Sequence, residues 1–438
     1  MYDFIEYGAS SGFVYKNTTA AYYFNGTTFT QITDADYPAS TVPGVVYLDG
    51  YIFVMDADGV IYNSALNDPA TWNALDFISA EMEPDAGVGI AKYQNYVVAF
   101  GDRTTEFFYD AGNPSGSPLA RMAQNASLVG CATGESIGYC NGTVFWIGKN
   151  KSMGRGVYML NGLQPQLVST PAVDRILNTL GLATVRAFGF RINGSHFYML
   201  NLVSDDLTLV YDVQANLWTQ WTYSTAGSAQ TLSALTQSNG LATATKTAHG
   251  YATGDLVRVS GATPSGYNGD YLITVVDANT FTFPVSSSLG ASSGTITATK
   301  YTQGHMPFVS YTFAGNVDLL QHETNGKVYQ ITPTVFQDTI TSGVGVPVAS
   351  MIRTSKIDGG DTQQKTFGHV QVVGDQVTTK VYERHSNDDA QTWSNPRAAD
   401  MSLRAPQIRR LGKGRRMVFE LHHVDNTRCR LEALEIGD

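Results

Sequence analysis

The segment YLDGYIFVMDADGVIYNS, residues 47–64, contains the two features that decide the fold. Its Asp49–Gly50 pair stands between two apolar runs and predicts a tight β-hairpin, because both central residues of such a turn need a positive φ. The strand that follows is centred on Tyr62. β-Branched and aromatic side chains pack well on a pleated sheet, so the segment is predicted to be β-structure throughout.

Both features recur along the chain at a regular interval. Comparable hairpins are centred on Asp49, Gln94, Asn141 and Asn193, at successive steps of 45, 47 and 52 residues. The tyrosine strands are centred on Tyr15, Tyr62, Tyr109, Tyr158, Tyr211 and Tyr329, with a seventh at Tyr382. A period near 47 residues, with about four short strands in each unit, is typical of the blade of a β-propeller.

The step of 118 residues from Tyr211 to Tyr329 marks an insertion. Omitting residues 224–299 brings this step close to the period of the repeat. The omitted segment contains glycine turns between short apolar runs, which predict strands. We therefore predict an all-β protein: a β-propeller of six or seven blades, formed by residues 1–223 and 300–438, with an inserted small β-module at 224–299 and a C-terminal β segment. A large β-sandwich or an array of hairpins is the alternative.

Composition limits the classes of partner. The net charge is −10, and only 15% of the residues are charged. An acidic surface does not attract phosphate groups, so stable nucleic-acid binding is not expected, although such a surface suits a channel through which DNA slides. The three cysteines are too few for a disulfide framework. Neither a signal peptide nor a membrane-spanning segment is predicted, and assembly in a reducing cytoplasm is expected.

The insertion resembles a known small module. HGYATGDLVRVSGA and YNGDYLITVVDANTFTF, both within residues 241–299, are similar to a β-module described as like the first catalytic-cysteine half-domain of ubiquitin-activating enzymes. This module recurs as an insertion in bacteriophage structural proteins. The insertion contains no cysteine, so the resemblance implies no ubiquitin chemistry.

Four stretches outside the insertion resemble, in this order, the tail hub or nozzle proteins of short-tailed bacteriophages, also called packaged-DNA stabilisation proteins. They are residues 45–77, VAFGDRTTEFFYDAGN (98–113), LVYDVQANLWTQW (209–221) and 411–436. The resemblance implies a virion protein that forms a homohexameric ring below the portal and adaptor rings, extends the DNA channel, retains the packaged genome and permits its ejection. The implied partners are the portal–adaptor ring, the tail needle, plug, fibre or spike proteins and, in passage, genomic DNA.

Residues that could carry chemistry form no recognised catalytic arrangement. Candidate carboxylates for glycoside hydrolysis are Asp56, Asp58, Asp102 and Glu106, but loop carboxylates of an acidic chain are usually solvated. The DADG sequence from Asp56 lacks the glutamate that an EF-hand needs at its twelfth position. We predict no catalytic, cofactor-binding or metal site and no enzymatic activity. The alternative function is a carbohydrate-binding or glycosidase-like β-propeller.

Two C-terminal motifs receive structural interpretations. HSNDDAQTWS, residues 385–394, approximates an Asp-box, which is a hairpin turn whose aspartate accepts hydrogen bonds from turn amides. His422 and His423 are adjacent in a predicted strand, so their side chains should point to opposite faces and cannot readily bind one metal ion.

A run of basic residues is the candidate partner-docking surface. It consists of Arg404, Arg409, Arg410, Lys413, Arg415 and Arg416. Three interpretations stay open: a solvated or intersubunit ion-pairing face, docking on an acidic ring surface of a neighbouring tail protein, or contact with DNA. Charge complementarity would set the register of docking on a ring.

Overall fold

The computed structural model describes residues 3–7, 12–150, 154–332, 334–341, 344–360 and 363–437. It contains two compact units. The first comprises Met1–Trp221 and His305–Ile331, and the second comprises Thr222–Gly304 and Thr332–Asp438. This division groups residues 332–438 with the insertion. The domain boundaries predicted from the sequence, at 223/224 and 299/300, stay a prediction.

The first unit begins with three four-stranded antiparallel sheets whose strands pair in chain order. The first sheet contains β1 (Asp3–Tyr7), β2 (Gly12–Lys16), β3 (Ala21–Phe24) and β4 (Phe29–Gln31). The second contains β5 (Val46–Leu48), β6 (Tyr51–Met55), β7 (Val60–Ala65) and β8 (Asp68–Ser79). The third contains β9 (Gly87–Tyr93), β10 (Tyr96–Gly101), β11 (Thr105–Asp110) and β12 (Leu119–Arg121).

Two further sheets continue this order. In the fourth, β13 (Gly130–Cys131) and β14 (Gly138–Cys140) both pair with β15 (Thr143–Asn150), which is followed by β16 (Gly154–Asn161) and β17 (Gln164–Leu167). The fifth contains β18 (Val185–Ile192), β19 (Ser195–Leu202), β20 (Leu207–Asp212) and β21 (Leu217–Trp221). Short 3-10 turns lie at Ala123–Asn125, Gly134–Ser136 and Val203–Asp205.

One α-helix, α1 (Pro171–Thr179), connects the fourth and fifth sheets. Thr170 caps its first turn by accepting a hydrogen bond from the Val173 N–H, as its sequence predicts. The segment STPAVDRILNTLG, residues 169–181, also predicts a helix end at Gly181, and Gly181 directly follows the C-cap residue, Leu180. The residue with positive φ beyond the helix is Leu182, at 53°.

The chain then forms the strands of the insertion, in two antiparallel sheets. One sheet has the order β22 (Tyr223–Ala226), β30 (Thr297–Gly304), β26 (Leu256–Ser260) and β27 (Gly269–Leu272), with β23 (Gln230–Thr231) also on β30. The other has the order β24 (Ala234–Ser238), β25 (Leu241–Thr245), β29 (Thr280–Pro284) and β28 (Thr274–Asp277). A 3-10 turn spans Ser265–Tyr267. The two sheets share one core, which includes Phe281 and Phe283. The likeness to the ubiquitin-activating half-domain stays a prediction.

A sixth sheet returns the chain to the first unit. It contains β31 (Phe308–Ala314), β32 (Val317–His322) and β33 (Val328–Ile331) in chain order. The described residues of the first unit therefore supply six consecutively ordered sheets, and neighbouring sheets pack face to face in shared cores. Gly44 allows one such close approach, because a Cβ there would lie 1.9 Å from the Ile90 carbonyl oxygen.

The predicted hairpins are confirmed and the assignment of one tyrosine strand is corrected. Asp49, Gln94, Asn141 and Asn193 have φ between 47° and 53°. Most tyrosine strands are the third strand of their sheet: β7, β11, β16, β20 and β33. Tyr15, however, lies in the second strand, β2, and the third strand of the first sheet carries Tyr22 and Tyr23 instead.

The C-terminal residues form a different structure, a two-sheet sandwich. After the hairpin β34 (Gln337–Thr341) and β35 (Val344–Pro347), one sheet has the order β36 (Ser350–Arg353), β41 (Val418–His423), β38 (Lys380–Ser386) and β39 (Arg397–Asp400). The other has the order β40 (Gln407–Gly414), β37 (Lys365–Gly374) and β42 (Leu431–Gly437). Both sheets contribute to one core. In these sheets the order of the strands does not follow the chain, unlike in the six sheets of the first unit. The strand of Tyr382, β38, is therefore not a seventh copy of the repeat.

Candidate functional site

The predicted basic surface lies on β40 and the loops beside it. Its six side chains are all exposed, and they are Arg404, Arg409, Arg410, Lys413, Arg415 and Arg416. Within the described residues, β40 is an edge strand that pairs with β37. Charged side chains on an edge strand oppose pairing with a foreign strand, so this surface has a structural reason to be basic whether or not it binds a partner.

A bulge in β40 sets the direction of these side chains. Arg410 has a φ of 61°, and the register against β37 shifts between Phe367 and His369. As a result Ile408 and Leu411, three residues apart, both reach the sandwich core and are about 5% and 4% exposed. Two consecutive arginines, Arg409 and Arg410, remain on the solvent side.

Arg397, which sequence reasoning missed, holds the backbone of β40. Its guanidinium donates to the Arg409 carbonyl at 2.7 Å and pairs with Glu383 at 3.1 Å. Glu383 is fully buried and also contacts His385 Nδ1 at 2.8 Å. The edge carbonyls of β40 are thus capped by side chains, and a single arginine in the sequence offers no signal for that role.

Five of the six cations lack a carboxylate partner among the described residues. The exception is Arg416, which forms an ion pair with Asp389. Lys356 contacts the same carboxylate at 3.1 Å. The hydrogen bonds from Arg416 and Lys356 hold the pKa of Asp389 below its usual range. The surface therefore presents largely uncompensated positive charge on an acidic chain.

The Asp-box prediction is confirmed as a loop between β38 and β39. Asp388 Oδ1 accepts from the Thr392 N–H at 2.9 Å and from the Ser386 hydroxyl at 2.7 Å. A further contact joins the Thr392 hydroxyl to Asp388, and these hydrogen bonds lower the pKa of Asp388 to about 2. Trp393 lies beneath Arg353, whose guanidinium is 5.1 Å from the ring centroid.

Of the four carboxylates considered for glycoside hydrolysis, Asp58 is exposed and the other three have structural partners. Asp56 accepts from the Asp58 and Val60 amides at 2.9 Å, and Asp102 pairs with Lys149 at 2.7 Å. Glu106 is buried, which raises its pKa, and pairs with Arg121 at 3.0 Å. These contacts give Asp56, Asp102 and Glu106 structural roles that involve no substrate.

The adjacent histidines point to opposite faces, as predicted. His422 Nε2 lies 3.2 Å from Glu420, whereas His423 Nε2 lies 3.3 Å from Asp425. The structure, over the residues it describes, contains no group of three histidine, cysteine or acidic side chains able to hold a metal ion. In the same part of the chain no helix has the length and apolar character needed to cross a membrane.

A cavity of about 380 Å³ in the second unit was not foreseen from the sequence. Its lining includes Asp270, Lys380, Tyr382 and Asp425. Arg258 holds Asp270 through two hydrogen bonds of 2.7 Å, and burial raises the pKa of that carboxyl group. Asp425 is held by His423 and Thr379, and the Lys380 ammonium donates to a backbone carbonyl at 3.2 Å. The charged groups of the lining thus already have partners.

A family model described as bacteriophage P22 Gp10, β-propeller, matches residues 4–250. This match, together with the six ordered sheets, confirms the predicted β-propeller. No curated protein matches the chain.

Solved structures similar to the chain include a computationally designed protein, Ika8, with 11% identity, coverage of 74% of this chain and 82% of that chain, and a TM-score of 0.35. Another is Saccharomyces cerevisiae Sqt1, with 10% identity, 83% and 91% coverage and a TM-score of 0.39. A third is Kluyveromyces lactis Hsv2p, with 9% identity, 56% and 70% coverage and a TM-score of 0.28.

Proposed function

Because the chain belongs to the family of phage P22 Gp10 β-propellers, a family of phage tail-stabilisation proteins, we propose that it forms a ring in a short phage tail. It is a structural virion protein of the tail that stabilises packaged DNA. In the proposed assembly, six copies sit below the portal and adaptor rings as a hub or nozzle. They extend the DNA channel, retain the genome and release it on ejection, and they assemble in the host cytoplasm.

The family match over residues 4–250 is the observation that carries this proposal. Net charge supports it, because a surface of net charge −10 lets DNA pass without tight binding. Needle, plug, fibre or spike proteins would complete the tail around the ring. Enzymatic activity forms no part of the proposal.

The basic surface on β40 is the proposed contact with an acidic face of the adaptor ring. Its five cations without a carboxylate partner favour an anionic partner over internal ion pairing. Electrostatic docking of exposed charges sets orientation and association rate, and it weakens as ionic strength rises. Contact with DNA stays the alternative for these residues.

The test measures the mass of the purified chain alone and with its cognate portal–adaptor complex. We expect six copies to bind the adaptor. A chain that does not bind the portal–adaptor complex would contradict the proposed ring and favour the carbohydrate-binding propeller.

The docking surface is tested with Arg409→Glu/Arg415→Glu, against the matched control Arg175→Glu/Arg428→Glu. All four arginines are exposed, and both variants change the net charge equally. We expect the first to weaken adaptor binding by roughly tenfold and to reduce its salt dependence, and the second to behave like the parent. Equal losses in both variants would show that net charge, rather than the β40 surface, governs binding.

A further inference from the structure

The cavity of about 380 Å³ in the second unit lies between the insertion and the C-terminal sandwich. A shared apolar cluster holds these two parts together, because Leu272 of the insertion packs with Tyr382 and Val424 of the sandwich. The Lys380 ammonium also joins them by donating to the Pro284 carbonyl at 3.2 Å. The cavity is therefore enclosed by two parts of the chain that pack against each other.

One wall is the outer face of the sandwich sheet that contains β38. Val381 points into the sandwich core, so Lys380 and Tyr382, which alternate with it, point toward the insertion. Asp400 is paired with Lys380 across β38 and β39, and its side chain therefore lies on the same face. This wall presents an ammonium, a phenol and a carboxylate to the cavity.

The remaining carboxylates are held in place by other side chains. Asp270, on β27 of the insertion, accepts from Arg258 at 2.7 Å through each of its oxygens. Asp425 is held by His423 at 3.3 Å and by the Thr379 hydroxyl. A carboxylate has about four lone-pair sites, so these partners orient both groups and leave them able to accept hydrogen bonds from a ligand.

Tyr382 is the residue that points to a ligand. Its side chain is only 2% exposed and lines the cavity, yet its hydroxyl makes no hydrogen bond to any residue that the structure describes. Burial raises the pKa of Tyr382, so the hydroxyl keeps its proton and can donate. Buried hydroxyls in proteins are almost always hydrogen-bonded, and this one therefore indicates an acceptor supplied from the cavity.

The charges of the lining distinguish between classes of ligand. The three carboxylates of Asp270, Asp400 and Asp425 disfavour an anion such as phosphate. Lys380 disfavours a cation in the same space. A neutral ligand that carries hydroxyl groups suits both signs of charge, because a hydroxyl can donate to a carboxylate and accept from an ammonium or a phenol.

We propose that this cavity binds a neutral sugar ring. The hydroxyls of such a ring match the polar groups of the lining, and its C–H faces match apolar lining atoms such as those of Val424. The volume lies near the lower end of the range of about 300–1,000 Å³ that is typical of small-molecule sites, which suits one or two rings. All lining residues belong to the second unit, so the inference goes beyond the proposed ring and differs from a carbohydrate-binding propeller.

Saturation-transfer NMR on the purified full chain tests the site. The probes are glucose, galactose, mannose, rhamnose and N-acetylglucosamine, each as the free sugar and as its methyl glycoside. We expect transfer to at least one of these sugars. A glycoside that binds as well as its free sugar would identify a site for a unit of a polysaccharide, whereas binding of the free sugar alone would identify a site for a monosaccharide. Transfer to none of the probes would overturn the inference.

A pair of tyrosine variants locates the bound sugar. Tyr382→Phe removes only a hydroxyl that has no partner among the described residues, so it should unfold at the temperature of the parent. We expect it to bind the sugar about fivefold more weakly, since one hydrogen bond is lost. The control Tyr109→Phe removes a phenolic hydroxyl from an exposed position in the first unit and should bind like the parent. Equal affinity in both variants would show that the sugar binds elsewhere.

A second pair of variants fills the cavity. Thr378 is exposed and lines the cavity, so Thr378→Trp should fold normally and abolish saturation transfer. The control Thr236→Trp places the same side chain at an exposed position on β24, outside the lining, and should bind the sugar like the parent. Undiminished transfer in Thr378→Trp would overturn the inference. Binding to the portal–adaptor complex is measured on the same samples, so failure of the sugar site and failure of the proposed ring are distinguished.

Discussion

The aromatic face of the first sheet carries Phe4, Phe13, Phe24 and Phe29, of which Phe4 and Phe29 are more than half exposed. It and the basic surface of β40 have opposite relations to water. Exposed arginines are well solvated, so the basic surface is stable without a partner. Exposed phenylalanines are poorly solvated, so covering the aromatic face with any partner is favourable. Each surface also lies on a sheet fixed by one fully buried charge, Lys16 in the first sheet and Glu383 in the sandwich. The difference teaches that covering an apolar surface is favourable in itself, whereas covering a charged surface is favourable only where the partner's charges match it.

The largest expected effect is the loss of Glu383, which would break the support of the basic surface. Glu383→Ala leaves Arg397 and His385 without their carboxylate, and we expect it to lower the free energy of unfolding by about 4 kcal/mol. Chemical denaturation measures this loss. Hydrogen exchange at β40 should rise in the same variant, because Arg397 caps its carbonyls. Unchanged exchange at β40 would show that Glu383 and Arg397 do not support the basic surface.

A somewhat smaller effect is expected at the support of the aromatic face. Lys16→Ala removes three contacts, to Asp3, Thr41 and the Val42 carbonyl, and should cost about 3 kcal/mol. Lys16→Met keeps the length of the side chain and serves as the packing control. Thermal unfolding that places both variants at the parent's midpoint would contradict the described position of the first sheet.

The smallest effect concerns the loop that pairs with Arg416. Asp388 has a pKa of about 2, below the usual 3.8, so its contribution to stability is present above about pH 4 and is lost as pH falls toward 2. The melting temperature of Asp388→Asn should therefore lie below that of the parent at neutral pH, and the difference between the two should vanish near pH 2. A difference in melting temperature that does not change with pH would show that packing, rather than charge, causes the effect.

Local turn chemistry made much of the propeller predictable. Asn141–Gly142 can be read as a hairpin from two residues, because few other residues adopt positive φ there. Tyr15 was misplaced by one strand, since the first sheet carries tyrosines in both β2 and β3 and the period alone cannot choose between them.

The other omissions arise from contacts between distant residues. Strand order in the sandwich depends on pairings such as Tyr382 with His422, which no local pattern encodes. The basic run was visible in the sequence, but its support by Arg397 was not.

The position of the insertion has a consequence for the order of folding. The fifth and sixth sheets meet through Asn201, which donates to the Phe308 carbonyl at 2.7 Å, yet residues 222–304 separate them in the chain. Closing an unfolded loop of that length costs about 3 kcal/mol more than closing a four-residue connection. Pairing of β22 with β30 brings Tyr223 opposite Gly304, and so joins the two ends of the loop before the sixth sheet docks. On a ribosome, the sixth sheet would therefore dock on the fifth only after the insertion has folded. Folding of the insertion would then determine when the propeller is completed.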